Sequence, residues 1–315
     1  MSAVLVAVDG PQAGEWLACL RAQAGGRELR SWPDAVGPAA DIAYACVWLP
    51  PPGLLAGFPN LKAIINLGAG VDRLLADPAL PPVPLARVVH ADLSMRVTEY
   101  VVLHVLMHHR RQRLYDAQQR QRLWRVHDQP AAGEVTVGVM GLGAVGRAAA
   151  LALAALGFQV AGFSRTPRNL RGVETFHGES GLDPFLRRTE ILVCLLPHTP
   201  QTAGLLDLAL LRRLKRDGAM AGAFLVNAAR GQIQVDADIL AALDQGALAG
   251  ATLDVFPHEP LPPESPLWSH PRVTVTPHNA GDISPRVFAP EVFAQIERFE
   301  RGLPLENSVD RARGY

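Results

Sequence analysis

The chain has 315 residues, 49% of them apolar and 19% charged, with 30 basic side chains balancing 30 acidic ones. At roughly 100–200 residues per domain the length suggests two domains, and the composition excludes a disordered or fibrous chain. Zero net charge removes the electrostatic footprint of a general nucleic-acid binder.

Cys19, Cys46 and Cys194 are an odd set with no C-x-x-C spacing. They argue against a disulfide framework or a zinc ribbon and for a reducing cytoplasm. The apolar run Ala3–Val8 has no basic flank and ends at Asp9, so it does not resemble a secretory signal. The greasiest stretch, Ala148–Phe163, is shorter than the ~20 residues that span a bilayer. A soluble, cytoplasmic protein with neither a membrane nor a nucleic-acid partner is expected.

Short β-branched runs alternate with helical stretches along the whole chain, the pattern of α/β layers on parallel sheets. Strands are expected at Val4–Val8, Glu28–Trp32, Ile42–Trp48, Leu61–Leu67 and Leu85–Val89, with a helix between Pro11 and Gly25. One long helix is then expected from Ser94 to Arg125. Val97, Val101, Val105 and Leu114 recur near helical spacing, ahead of a basic tail through Arg110, Arg111, Arg113, Arg120, Arg122 and Arg125. After a turn around Gln129–Gly133 a second array follows, with strands at Val135–Met140, Gln159–Phe163, Ile191–Leu195, Phe224–Asn227, Ala251–Leu253 and Val273–Thr276. A last helix, Pro285–Arg301, is expected to return to the first array. The expected fold class is thus α/β with two doubly wound parallel-sheet domains. Residues 1–95 plus 285–315 would form a flavodoxin-like substrate domain, and 96–284 a Rossmann dinucleotide-binding domain.

Gly141-Leu142-Gly143-Ala144-Val145-Gly146 follows a buried strand and opens an Ala-rich helix. Alone, this G-x-G-x-x-G is weak, and a tight turn without ligand would explain it. Between strand and helix it gains meaning. The glycines allow the turn, the approach of a pyrophosphate and close helix–strand packing, and the helix N-terminus offers N–H groups to phosphate. An NAD site wants an acidic residue about 20 residues further on, at the next strand end. Here that strand ends in Ser164-Arg165-Thr166, with Arg168 behind it. Guanidinium groups suit a 2′-phosphate, so NADP is expected over NAD, the alternative being plain solvated loop charges.

Three further strand ends carry polar residues: Asn227-Ala228-Ala229-Arg230, Asp254 through Glu259, and Thr276-Pro277-His278. Each has a dull reading as a surface cation, a loop carboxylate or a turn histidine. Beside a nicotinamide site they supply a cation for the substrate, a proton donor and a carboxylate to tune that donor.

In this order and spacing the chain resembles the D-2-hydroxyacid dehydrogenase family. Arg230 and Glu259 are 29 residues apart, and Glu259 and His278 19 apart. Leu67-Gly68-Ala69-Gly70-Val71-Asp72 is similar to the family's substrate-carboxylate loop, and Leu196-Pro197-His198-Thr199-Pro200-Gln201-Thr202 to its cofactor-flanking loop. Trp48-Leu49-Pro50-Pro51, Pro262 to Trp268 and the ending Val309 to Tyr315 resemble the glyoxylate/hydroxypyruvate reductase A branch, an NADPH-preferring group. Asn279-Ala280-Gly281-Asp282 departs from the small apolar run of that branch.

The resemblance implies reduction of a small 2-keto acid. Arg230, Glu259 and His278 would be catalytic. Gly68, Ala69, Gly70, Val71 and Arg230 would hold the substrate, with Trp48 either a pocket wall or core. Gly141, Gly143, Ala144, Val145, Gly146, Ser164, Arg165, Thr166, Arg168, Leu196, Pro197, Thr202, Asn227, Ala228 and Asp254 would line the cofactor, with Asp254 facing the nicotinamide. A homodimer is expected. Other readings within the fold are a D-lactate, D-3-phosphoglycerate, formate or phosphite dehydrogenase. A dinucleotide-sensing scaffold, as in related transcriptional corepressors, is the reading from another class. His104 and His108 sit four apart on a helix, but no third ligand is placed to complete a metal site.

Overall fold

The computed structural model describes residues 2–220 and 222–314. Tyr315, the last residue of the C-terminal segment noted above, lies outside them. The chain divides into two compact units, Met1–Asp92 with Ile283–Tyr315, and Leu93–Asp282.

In chain order the first unit contains β1 (Ala3–Val8), α1 (Ala13–Gln23), β2 (Leu29–Ser31), β3 (Ile42–Trp48), β4 (Ala63–Asn66), α2 (Asp72–Leu75) and β5 (Leu85–Arg87). The strands pair in parallel in the order β2-β1-β3-β4-β5, the flavodoxin-like doubly wound arrangement. β1 is buried at every position and β3 at all but its last, as expected of strands covered on both faces. The exposed edge of β5 is closed by the chain's own end. Val309 N–H donates to the Leu85 carbonyl and Arg87 N–H to the Asn307 carbonyl, so no open ladder is left there.

The second unit holds most of α3 (Ala91–His109), then α4 (Gln112–Arg120), β6 (Thr136–Met140), α5 (Ala144–Ala155), β7 (Gln159–Ser164), β8 (Glu174–His177), α6 (Gly178–Arg188), β9 (Ile191–Cys194), α7 (Leu208–Leu211), β10 (Phe224–Asn227), α8 (Asp236–Asp244), β11 (Gly250–Leu253) and β12 (Val273–Val275). Its strands run parallel in the order β12-β11-β10-β9-β6-β7-β8. Counted from β6, this is the dinucleotide-binding order with one strand added, and its direction reverses between β6 and β9. The final helix, α9 (Pro285–Glu300), belongs to the first unit, where Glu300 accepts from Nη1 and Nη2 of Arg27 at 2.8 and 2.7 Å.

The single helix expected over Ser94–Arg125 is two helices. Arg111 adopts φ 54 in the left-handed region, and regular structure ends at Arg120. Apolar periodicity supports α3 only as far as Val105. Beyond it Arg113 is drawn sideways onto Thr274 Oγ1 (2.8 Å) and the Pro271 carbonyl (3.0 Å). Buried Gln118 then folds the chain back, donating to the Arg125 carbonyl and meeting His127 Nε2. β8 escaped sequence reading because it is a four-residue edge strand with no buried position.

Three histidines of α3 are buried: His104, His108 and His109. His108 lies against the Phe224 ring and bonds Thr252 Oγ1 at 3.0 Å. Burial, followed by the charges of His104 and Arg113, lowers its pKa to about 3. In the unfolded chain an ordinary histidine takes up its proton near pH 6.5, so between pH 6.5 and 3 the unfolded state binds the extra proton. Stability is therefore complete above that window and lost as pH falls through it. His108→Gln, which keeps a bond to Thr252, is expected to lose about 2 kcal/mol less unfolding free energy than the parent between pH 7.5 and 5. Urea titrations at the two pH values check this; equal losses would remove His108 from the acid response.

Candidate active site

In a parallel sheet every loop that follows a strand leaves from the same edge, and there ligands bind in open α/β folds. In the second unit the sheet order sets the sequence of these loops along that edge. His278 follows β12, Asp254 through Glu259 follow β11, and Arg230 follows β10. The 196–202 loop follows β9, the glycine loop follows β6, and Ser164 through Arg168 close and follow β7.

Gly141 has φ +108, and a Cβ there would fall 2.7 Å from the Leu195 carbonyl oxygen. A Cβ on Gly146 would collide with the Gly141 carbonyl oxygen. Both glycines are thus demanded by the protein itself. Gly143 is not. Its φ is −72, and nothing lies within 4 Å of where its Cβ would stand. As N-cap of α5 it also supplies no side chain to the first-turn N–H groups, where Ala144 and Val145 begin the helix. The space and the donors suit a phosphate.

At the end of β7, Ser164 is buried and its hydroxyl donates to the Thr166 carbonyl at 2.8 Å, which fixes the turn. Arg165, Thr166 and Arg168 are exposed on it. No carboxylate occupies that turn. Beyond β9, Leu196 and Pro197 are half-buried, and Thr202 ties their loop together by donating to the Pro197 carbonyl and accepting from Thr199 N–H. Cys194, inside the same strand, is buried, which pushes its thiol pKa up to about 12 and marks it as structural.

Asn227 ends β10 wholly buried. Its amide donates to Gln234 Oε1 at 2.7 Å and accepts from Ala229 N–H at 3.1 Å. Gln234 in turn donates to Asp236, whose carboxyl burial pushes upward in pKa. Both ends of the Asn227 side chain are consumed in shaping the loop that presents half-buried Arg230, while Ala228 lies half-buried beside it. A Cβ on Gly231 would strike the backbone of Phe256, so this loop rests directly on the one after β11.

Asp254 is fully buried. Its Oδ1 accepts from Thr276 Oγ1 (2.6 Å) and Asn279 N–H (3.0 Å), and its Oδ2 from Ala280 N–H (2.9 Å). The His278 N–H donates to the Asp254 carbonyl at 2.8 Å, and His278 takes φ 53. The carboxylate expected to face a nicotinamide is thus turned onto the histidine loop. Glu259 accepts from Phe256 N–H at 3.0 Å through Oε1 and meets His278 Nδ1 at 2.8 Å through Oε2. A carboxylate only accepts, so Nδ1 carries the hydrogen. His278 itself is exposed, and among the described residues no hydrogen bond occupies its Nε2. Thr276, Gln234 and Phe256 were not singled out from sequence. Only their neighbours across the sheet edge give them meaning.

In the first unit, Asn66 at the end of β4 donates to the carbonyls of Gly68 (2.8 Å) and Gly70 (2.9 Å). A trans peptide sets N–H opposite C=O, so the N–H groups of Ala69 and Val71 point away from Asn66. A Cβ at Gly68 would run into the Trp48 ring. The Trp48 ring therefore packs directly against the Gly68 backbone, which makes it a support of this loop. Among the described residues no cluster of three metal-ligating side chains occurs, and no helix is long and apolar enough to cross a membrane.

The family model for the NAD binding domain of D-isomer specific 2-hydroxyacid dehydrogenases matches residues 102–280. The glyoxylate/hydroxypyruvate reductase A of Yersinia enterocolitica is 41% identical over 310 residues, covering 96% of this chain and 97% of the relative. An NADPH-dependent glyoxylate/hydroxypyruvate reductase from Sinorhizobium meliloti, solved with NADP and sulfate, is 46% identical with a TM-score of 0.95 over all of both chains. A D-isomer specific 2-hydroxyacid dehydrogenase from Xanthobacter autotrophicus Py2, solved with NADPH and MES, is 44% identical with a TM-score of 0.94, again over all of both chains.

The two kinds of glycine are separable by experiment. Gly146→Ala forces a methyl into backbone and is expected to cost about 3 kcal/mol or more, the upper end of overpacking. Gly143→Ala meets open space and is expected to leave the thermal midpoint within a few degrees, roughly the effect of 0.5 kcal/mol. Equal destabilisation of the two variants, measured by calorimetry, would overturn the distinction.

Proposed function

Because the chain belongs to the D-isomer specific 2-hydroxyacid dehydrogenase family, we propose that Arg230, Glu259 and His278 carry its chemistry, the reduction of small 2-keto acids with NADPH. It is an NADP-dependent oxidoreductase, and glyoxylate and hydroxypyruvate are its substrates. The carrying observation is the His278–Glu259 pair, poised with Nε2 outward on the sheet edge that also bears the glycine loop.

The open space at Gly143, the uncapped start of α5 and the guanidinium groups after β7 fit a phosphorylated dinucleotide. Arg165 and Arg168 would take the 2′-phosphate, and the N–H groups at 143–146 the pyrophosphate. Bound NADPH supplies the hydride. Everything else falls to the chain's own groups. His278 holds a proton on Nε2 and gives it to the substrate carbonyl oxygen as negative charge develops there. Glu259 accepts from Nδ1, fixing the ring's tautomer and orientation and balancing the imidazolium charge. Arg230 offers a planar fork of donors to the substrate's carboxylate or carbonyl. In the first unit the N–H groups of Ala69 and Val71 form an anion nest for a carboxylate. Asn227 and Asp254 act as positioning residues beneath these groups.

The free thiols of Cys19, Cys46 and Cys194, two of them buried, suit a reducing cytoplasm and support a cytoplasmic location. The assembly is a homodimer. Leu123, Trp124 and Val126, exposed on one segment after α4, are apolar surface that a second copy would cover.

A panel of keto acids assayed with NADPH and NADH tests the reading: stoichiometric NADPH oxidation with glyoxylate is expected, and tight NADPH binding without turnover would point to a sensor. Replacing Arg165 and Arg168 together by Ser should weaken NADPH by more than about 100-fold while sparing NADH, since two charge-assisted contacts worth about 1.5–3 kcal/mol each are lost. Equal losses for the two cofactors would remove the arginines from phosphate recognition. Arg230→Lys keeps charge but not the fork. It should lower kcat/KM strongly with NADPH affinity unchanged, and normal turnover would exclude Arg230 from the site.

A further inference from the structure

Tyr100 lies on α3, far in sequence from the strand ends, and is buried. Its hydroxyl is 2.7 Å from Thr276 Oγ1, which is in turn 2.6 Å from Asp254 Oδ1. The proton order in this chain is determined. A carboxylate only accepts, so Thr276 spends its single hydrogen on Asp254 and must accept from Tyr100. Burial raises the phenol's pKa, which keeps Tyr100 a donor throughout the working range.

The Asp254 oxygen that receives Thr276 also receives Asn279 N–H. These two residues flank the Pro277-His278 pair, and His278 between them holds φ 53, a left-handed conformation that is strained for a non-glycine residue. The loop keeps that conformation because both flanks are pinned to one atom. We infer that Tyr100, acting through Thr276, is a positioning residue that holds the Asp254-anchored loop and with it the aim of the His278 ring. The inference rests on the proton-donor role proposed for His278.

Tyr100→Phe keeps the ring, including its contact with His104, and removes only the donor. It is expected to lower kcat for glyoxylate about tenfold, with the glyoxylate KM, the NADPH Kd and the thermal midpoint close to the parent, the scale of one lost hydrogen bond. In the protein without cofactor, amide exchange at Asn279 and Ala280 should quicken by a similar factor, about tenfold, while β6 amides keep their rates. Thr276→Val should lower kcat at least as far, and Thr276→Ser should restore it to within about twofold of the parent, because only the hydroxyl is needed. A parent-like kcat in Tyr100→Phe, with His278→Ala inactive, overturns this inference and leaves the proton-donor reading standing. An active His278→Ala overturns both. Parallel loss of kcat, NADPH affinity and stability in Tyr100→Phe would show a general structural role and overturns the positioning role.

Discussion

The buried carboxylate of Asp254 is the constraint on which the rest of the second unit's site depends. A charge removed from water is costly unless donors surround it, and here a hydroxyl and two backbone N–H groups do so. Those donors all come from the stretch after β12. The same bonds that make the charge tolerable also pull that stretch onto the end of β11, and the left-handed conformation of His278 is what remains for the residue between them. Charge-assisted bonds of about 1.5–3 kcal/mol each can offset that backbone strain. Glu259, leaving the same strand end a few residues later, then meets the imidazole at 2.8 Å. One strand thus supplies both the anchor and the orienting carboxylate.

A similar device recurs at two other strand ends, with asparagine in place of aspartate. Asn66 and Asn227 close β4 and β10, and each turns its amide back into the loop that follows. In the first case the amide gathers two carbonyls, so the opposite faces of those peptides present N–H groups outward. In the second it joins Gln234 and Ala229 and so fixes the backbone from which Arg230 projects. A neutral amide can both donate and accept, which suits loops whose backbone offers carbonyls as well as N–H groups.

Charge is distributed along the sheet edge by strand order. Arg165 and Arg168 stand at one side, the glycine loop at the start of α5 follows, and the Arg230, Glu259 and His278 group stands at the other side. Neighbouring strands are about 4.8 Å apart, so the five steps from β7 to β12 separate the two ends by roughly 24 Å. A ligand touching both must be long and extended, and under the proposed roles its anionic part would lie at the β7–β6 side and its reactive part near β10–β12. The reversal of strand order between β6 and β9 is the place where open α/β sheets leave a crevice for such a ligand.

Much of this was legible in the residues alone. Alternating apolar runs dictated two parallel sheets, since strands covered by helices on both faces must be apolar throughout. The glycine loop and the arginines after β7 pointed to NADP through plain sterics and charge, and the order of Arg230, Glu259 and His278 pointed to the family. Local sequence also set where each loop leaves its strand. It could not show where the loop's polar side chains turn. Asp254 and Asn227 were expected to line a cofactor; both are buried, Asp254 bonded to Thr276 and the backbone of Asn279 and Ala280, Asn227 to Gln234 and Ala229 N–H, and Thr202 bonds within its own loop. The break at Arg111 was hidden because its cause, Arg113 drawn onto Thr274 and the Pro271 carbonyl, involves partners more than 150 residues away. The same holds for Tyr100 and Thr276, 176 positions apart and 2.7 Å from each other. Periodicity and short motifs record the chain's local preferences, and these determined the fold and the chemistry at hand. Which donor meets which acceptor across strands is decided only when the sheet assembles, because a hydrogen bond depends on distances that no local pattern encodes.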